Sequence, residues 1–341
     1  MEHDTKLLGC SEADIAQAAA IIRAGGLVAF PTETVYGLGA DALSAQAVAR
    51  IFEAKARPRF DPVIVHVASW EEAERLWWNV PELARKLAER FWPGPLTLVL
   101  PKSQLVPDIV TAGLSTVAIR MPDHDAALAL IRAAGRPIAA PSANRFGRPS
   151  PTHHEHVLES LGGKIEAVLA CGPTPVGIES TVVSLLEAPP RVLRPGGTPL
   201  EALREVVGEL RLEPPRVDQG AAPAPGTLPR HYVPETPLFL LAGGTLARGE
   251  KLPRKRCGLL AFRHGWHDFA RVEVLSGSGD LREAAANFFS ALHALDRAGL
   301  AAIVAEPVPE EGLGVAIMDR LKRAAAGRAR LDATWVWISR R

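Results

Sequence analysis

Four polar stretches of this 341-residue chain each follow or close an apolar run of the kind that makes a buried strand. Thr32, Glu33, Thr34 and Tyr36 follow Leu27–Phe30, and His66 lies near the end of Val63–Val67. Arg120 ends Val117–Arg120, and Ser142 with Asn144 follow Ile138–Ala140. A fifth feature is cationic: Lys55 and Arg57 stand at the C-terminal end of a helix that Ser44 caps. In open α/β sheets, ligands gather outside the carboxyl ends of strands. Hydroxyls, an amide, an imidazole and three cations brought together there suit an anionic small molecule. Each residue also has an ordinary structural role. A cation at a helix C-terminus complements the dipole, Arg120 can form a surface ion pair, and Ser142 and Asn144 can cap a turn. The joint pattern, rather than any one residue, points to a pocket.

Other chemistries lack their signatures. No G-x-x-x-x-G-K-[ST], H-E-x-x-H or G-x-S-x-G occurs, and Gly37-Leu-Gly39 and Gly277-Ser-Gly279 lack a third glycine at dinucleotide-binding spacing. His153-His-Glu-His156 reads either as a solvated helix start or as a metal pair, since on a helix only His153 and His156 share a side.

The elements that must carry these residues alternate. Ser11 and Asp14 resemble a capping box for a helix with Ile15, Ala18, Ala19 and Ile22 on one face, stopped at Gly25-Gly26. Helices are expected from Ser44, from Pro81 to about Trp92, and from Ala126 to Ala133, with later strands near Val168, at Val182–Leu185 and at Val192–Arg194. Alternating β and α segments argue α/β, and the hairpin-like spacing near the end suggests a mixed sheet. Seven of the 29 prolines fall between Pro214 and Pro237, about three times their even share, which marks a linker. After it, strands at Leu238–Leu241, Gly258–Phe262, Val272–Leu275 and Ala301–Glu306, with helices between, read as a smaller Rossmann-like three-layer domain. The division expected is 1–208 for the first domain, 209–237 for the linker and 238–341 for the second.

Composition agrees with a globular protein: 47% hydrophobic and 23% charged residues, with 39 Lys+Arg against 38 Asp+Glu. A net charge of +1 offers no global field for nucleic acid. Cys10, Cys171 and Cys257 lie far apart without a C-x-x-C pair, so neither a disulfide framework nor a zinc site is expected, and a reducing cytosol fits. No apolar run approaches a membrane span, and the N-terminal residues show no secretory pattern.

The string Gly26-Leu-Val-Ala-Phe-Pro-Thr-Glu-Thr-Val-Tyr-Gly-Leu-Gly39 resembles the signature of the Sua5/YrdC/YwlC family of threonylcarbamoyl-AMP synthases. The resemblance continues in order through Lys55-Ala-Arg57, Pro62-Val-Ile-Val-His66, Trp92-Pro-Gly-Pro-Leu-Thr97 and Thr116-Val-Ala-Ile-Arg-Met-Pro122. Pro141-Ser-Ala-Asn144, Arg148-Pro-Ser-Pro-Thr152, Glu179-Ser-Thr-Val-Val183 and Arg191-Val-Leu-Arg-Pro-Gly196 complete the first domain. Ala224-Pro-Gly226, Arg230-His-Tyr-Val-Pro234 and Gly312-Leu-Gly-Val-Ala-Ile-Met-Asp319 resemble the long, two-domain Sua5 form.

The resemblance implies a YrdC-like twisted mixed sheet and a nucleotidyltransferase reaction. L-threonine, bicarbonate and ATP would give threonylcarbamoyl-AMP and pyrophosphate, and downstream transfer proteins would use the adenylate to make t6A37 in tRNAs that read A-starting codons. By matching position, the threonine site involves Thr34, His66, Arg120, Ala140 and Ser180. The ATP site involves Lys55, Arg57, Asp61, Thr116, Ser142, Asn144, Ser150, Arg194 and, from the linker, Tyr232. Lys55 and Arg57 would stabilise charge on the phosphates, Mg2+ would accompany ATP with no protein ligand assigned, and no residue presents itself as a general base. A stiff linker carrying Tyr232 could act as a lid. The protein would be cytoplasmic, free of membrane, and in contact with tRNA only indirectly. Two departures stand out. Phe60-Asp61-Pro62 replaces the usual Asp-Asn-Pro, and Pro225-Gly-Thr-Leu-Pro229 replaces Pro-Gly-Met-Lys-Tyr. The rival readings are an RNA-binding module, which salt-dependent tRNA affinity without threonine use would favour, and another carbamoyl-transferring nucleotide-binding protein.

Overall fold

A computed structural model describes residues 4–212, 226, 228, 230–242, 249–264, 267–332 and 334–340. The chain divides into two compact units: Met1–Phe146 with Ser150–Leu228, and Gly147–Pro149 with Pro229–Arg341.

Strands of the first unit are β1 (Lys6–Leu8), β2 (Val28–Phe30), β3 (Gly37–Asp41), β4 (Val65–His66) and β5 (Leu96–Pro101). They continue with β6 (Thr116–Arg120), β7 (Ile138–Ala139), β8 (Ala167–Leu169), β9 (Thr181–Ser184) and β10 (Arg191–Arg194). The helices are α1 (Glu12–Arg23), α2 (Ala45–Lys55), α3 (Trp70–Leu76), α4 (Glu82–Phe91), α5 (Asp108–Thr111), α6 (Asp125–Ala134), α7 (His154–Leu161) and α8 (Leu200–Val207). Ser11 and Asp14 do form a capping box on α1, a device worth about 1 kcal/mol, and Ser44 caps α2.

All ten strands join one mixed sheet in the order β1-β8-β2-β3-β7-β4-β6-β5-β9-β10. The apolar stripes of α1 (Ile15, Ala18, Ala19, Ile22) and α6 (Ala127, Leu130, Ile131, Ala134) pack with Val28, Phe30, Ile138 and Leu169 of the sheet. Burying each large aliphatic or aromatic side chain of this kind contributes about 1.5–3 kcal/mol.

The second unit has β11 (Leu238–Leu241), β12 (Glu250–Pro253), β13 (Cys257–Ala261), β14 (Arg271–Val274), β15 (Ala302–Ala305), β16 (Gly327–Leu331) and β17 (Trp335–Arg340), with helices α9 (Leu281–Asp296) and α10 (Gly314–Ala324). Its sheet runs β12-β17-β16-β11-β15-β13-β14, parallel except for β17.

The observed division differs from the expected one at both ends of the proline-rich stretch. Arg211 stays with the first unit, because its N–H donates to the Pro190 carbonyl and its carbonyl accepts from Val192 N–H. Residues 230–237 are not linker. The Asp296 carboxylate at the end of α9 accepts from the N–H groups of Glu235 and Thr236 at 2.9 and 2.7 Å. Gly147–Pro149 goes with them, since Val233 N–H donates to the Gly147 carbonyl at 2.7 Å and Arg148 pairs with Glu235 at 3.0 Å. Pro214, Pro215, Pro223, Pro225 and Pro229 lie outside the described residues.

The cysteines require a second correction. Cys10 and Cys171 form a disulfide with Cα atoms 5.7 Å apart across a sequence separation of 161. Their distance along the chain hid this, because β1 pairs in parallel with β8 and carries Cys10 to the segment that follows β8. Cys257 is buried in β13, and burial pushes its thiol up to about 11.

Candidate functional site

The strand-end picture drawn from sequence holds only in part, because neighbouring central strands are not all parallel. β7 runs antiparallel to β4 while β4 is parallel to β6, with His66 opposite both Ile138 and Arg120. Ser142 therefore leaves the sheet beside Pro62, at the end where β6 starts with Thr116. His66, Arg120 and Ser180 lie at the other end. The four residue steps from Thr116 to Arg120 span about 13 Å at a strand's rise per residue. The candidate residues thus spread along a face of the sheet instead of collecting at one edge. Ile64, Ala118 and Val182 form an apolar cluster with Val99 and Leu193 between the two polar ends.

At the first end, the loop between β2 and β3 folds onto Arg120. Its guanidinium donates through Nη1 to Thr34 Oγ1 at 2.8 Å, through Nε to the Gly94 carbonyl at 3.2 Å, and through Nη2 to Glu33 Oε2. Thr32 fixes Thr34 by a hydroxyl–hydroxyl bond of 2.8 Å. Arg120 and Glu33 are both 3% exposed, so this is a buried ion pair. His66 is buried beside it, edge-on to Phe30. Burial, and then the positive field of Arg120, push its imidazole down to about 3 against the carbonyls of Ile138 and Ile64. It is neutral at ordinary pH. Ser180 is held by Thr97 Oγ1 at 2.8 Å and receives Arg194 Nη2 on its carbonyl at 2.9 Å. Gly196 allows the chain to lie against this segment: a Cβ there would sit 2.3 Å from the Glu179 carbonyl oxygen. Ala140 follows β7, its N–H on the Ile64 carbonyl.

The second end is built on α2. Lys55, 1% exposed, donates from Nζ to the carbonyls of Ser142, at 2.5 Å, and Asn144. Burial, then the neighbouring Arg57, hold its ammonium well below the ordinary lysine range. Ala56 takes the left-handed conformation at the helix end and turns Arg57 back toward Asp61 and Pro62. Arg57 Nη2 lies 2.9 Å from Asp61 Oδ2 and donates to the Pro62 carbonyl at 2.7 Å. Burial raises the Asp61 carboxyl above its usual range, and Arg57, Lys55 and Arg194 offset part of that. Ser150 donates to Glu179 Oε1 at 2.5 Å.

The first unit therefore gathers all the expected site residues except Tyr232. That residue belongs to the second unit, where it is buried against His231 and Phe289 and lies under the Arg320 guanidinium. Glu33 stands among the polar residues named after the first strand but had no role assigned there, and Glu179 was not expected as a site residue. Their partners stand 87 and 29 positions away, which leaves no local signal. His153 and His156 do approach, with ring centroids 5.2 Å apart. Among the described residues, however, no group of three or more His, Cys, Asp or Glu could hold a metal. Asp61 is the buried carboxylate beside Lys55 and Arg57, and one carboxylate with substrate phosphates is an ordinary Mg2+ environment.

The depressed His66 has a measurable consequence. An imidazole that titrates lower in the folded than in the unfolded chain contributes stability in full above about pH 6.5, and loses it as pH falls toward 3. Between pH 7 and 5 this group should remove about 2 kcal/mol. Urea unfolding at the two pH values should show that loss in the native chain and lack it in His66→Phe. Equal slopes would reject the neutral buried imidazole.

A mixed sheet with α1 and α6 on one flank, and a buried run of paired cations and carboxylates along its face, defines a YrdC-like domain built for an anionic small molecule. The Sua5/YciO/YrdC family model, described as "Telomere recombination", matches residues 20–196, and that of the threonylcarbamoyl-AMP synthase C-terminal domain matches 198–326. The chain is 50% identical over 322 residues to a threonylcarbamoyl-AMP synthase of Pyrococcus abyssi, covering 91% of this chain and 94% of that one. It is 45% identical over 333 residues to the Bacillus subtilis threonylcarbamoyl-AMP synthase, covering 95% and 96%. The crystal structure of P. abyssi Sua5 complexed with L-threonine superposes with a TM-score of 0.88 at 46% identity, covering 96% of this chain and all of that one. The chain belongs to the Sua5/YrdC family of threonylcarbamoyl-AMP synthases, in its two-domain form. No helix among the described residues is long and apolar enough to cross a membrane.

Proposed function

We propose that this chain joins L-threonine, bicarbonate and ATP into threonylcarbamoyl-AMP with release of pyrophosphate. The observation that carries the reading is the spacing of two polar ends on one sheet face, separated by the apolar strip of Ile64, Ala118 and Val182. Arg120, Thr34, His66, Ala140 and Ser180 form the amino-acid end. Lys55, Arg57, Asp61, Thr116, Ser142, Asn144 and Ser150 form the nucleotide end, and Arg194, bonded to the Ser180 carbonyl and close enough to lower Asp61, stands between the two. Arg120, already oriented by three acceptors, presents a preset fork to the threonine carboxylate. Lys55, Arg57 and Arg194 face the phosphates and reduce the repulsion between them and an incoming carbamate. Holding the two anions together accounts for most of the acceleration, because effective molarities reach about 10^5–10^8 M for well-oriented groups.

A divalent metal, Mg2+ in this reading, neutralises phosphate charge when bound with ATP, and Asp61 is the residue that would hold it. The adenylate then passes to transfer proteins that modify tRNA. A cytoplasmic location belongs to the reading because ATP and tRNA are met there, and it does not rest on the cysteines. The experiment is to incubate the full chain with ATP, labelled bicarbonate and labelled threonine, and to isolate an adenylate carrying both labels. Absence of that product with threonine, and its formation with another amino acid, would redirect the substrate assignment.

A further inference from the structure

Glu33 is a buried carboxylate whose two oxygens are not used alike. Oε2 takes the Arg120 guanidinium, whereas Oε1 is buried and meets no hydrogen-bond partner in the protein. A buried carboxylate oxygen left without a donor is costly, and a donor group on a ligand is one means of completing it. The charges around it sharpen the point. Arg120 and Glu33 cancel, and His66 is neutral, so this end of the sheet face carries no net charge from the three. A lone carboxylate ligand would add an uncompensated negative charge next to Glu33. An α-amino acid zwitterion would add none: its carboxylate meets the guanidinium and its ammonium meets the carboxylate. The two ends of such a zwitterion are separated by a single carbon, as the two halves of the protein pair are separated by a single hydrogen bond.

We infer that Glu33 is the amine-binding residue of the amino-acid end, with Oε1 accepting from the substrate ammonium while Arg120 holds the carboxylate. This rests on the proposed function, since it takes L-threonine as the ligand, and it adds the group that selects an α-amino acid over a simple hydroxy acid. Thr34 and Thr32 keep the loop in place for it, and Val176 N–H on the Glu33 carbonyl at 2.8 Å fixes its backbone.

The test compares two ligands on one protein by calorimetry: L-threonine, and 3-hydroxybutanoate, which keeps the carboxylate and the hydroxyl but lacks the amine. The native full-length chain should prefer threonine by about 10- to 100-fold, the strength of a charge-assisted hydrogen bond in a buried site. In Glu33→Gln that preference should collapse to within about threefold. If Glu33 served only to orient Arg120, both ligands would weaken together and the ratio would stand, which overturns the inference. Should Glu33→Gln fail to fold, the same ratio is read on Glu33→Asp, whose shorter reach should lower it at least about threefold, and an unchanged ratio again overturns the assignment. Failure of the native chain to bind threonine at all would sink the proposed function, and this inference with it.

Discussion

Replacing Arg120 with alanine should both destabilise the chain and abolish threonine binding at millimolar ligand. The guanidinium is 3% exposed and serves Glu33, Thr34 and the Gly94 carbonyl together. Its removal leaves Glu33 as a buried charge without its partner, a change that costs about 3–5 kcal/mol. Thermal unfolding of the first unit should shift down by roughly 10 °C, at about 2–4 °C per kcal/mol for a domain of this size. The cause is separable from simple loss of packing. Removing the orphaned charge as well, in Arg120→Ala with Glu33→Gln, should recover part of the lost stability and none of the threonine binding. A double variant less stable than the single would show that the ion pair is not the reason. Arg120→Lys should behave nearly as badly as alanine, since one ammonium cannot serve three acceptors set in a planar fork.

The second large effect is expected at Lys55. Lys55→Met keeps the buried stem and removes the ammonium that Ser142 and Asn144 share. Threonine-dependent pyrophosphate release should fall by about 100- to 1000-fold, the usual cost of losing one preorganised charge at a reacting anion. Threonine binding without nucleotide should stay within about threefold of native, because Lys55 sits at the far end of the apolar strip. Release within threefold of the native rate would remove Lys55 from the phosphate role. Lys55→Arg should not restore activity, since a side chain 1% exposed leaves no room for the wider guanidinium.

What could be read ahead of the structure, and what could not, divides on locality. The caps Ser11 and Ser44 act within one helical turn, so α1 and α2 were legible at their starts. Most central strands were legible from short apolar runs. Strand direction was not, because it depends on partners: β7 lies antiparallel to β4 through Val65 with Ala139 and His66 with Ile138, pairs 74 and 72 residues apart. The site consequently moved from a sheet edge to a sheet face. β1, with three residues, is too short to show a period. Gly37–Asp41 reads as a glycine loop and is a strand. A Cβ on Gly39 would come within 2.7 Å of Phe30 and 2.9 Å of Ile138, so the glycine permits close strand packing there rather than a turn. Candidate residues were found where a polar group follows an apolar run. Glu33 stood in such a run, yet its meaning depended on Arg120 and on the oxygen left over after that pair forms.

The Cys10–Cys171 bond closes most of the first unit into a covalent ring. Thr34, Lys55, Arg57, Asp61, His66, Arg120, Thr116, Ala140, Ser142, Asn144 and Ser150 all lie on that ring, whereas Ser180 and Arg194 lie on the chain that leaves it. A single backbone cut anywhere between the two cysteines therefore opens a circle instead of severing a line. Nicked molecules should keep their full mass until a reductant is added, and the candidate site residues on either side of the cut stay tethered through such damage.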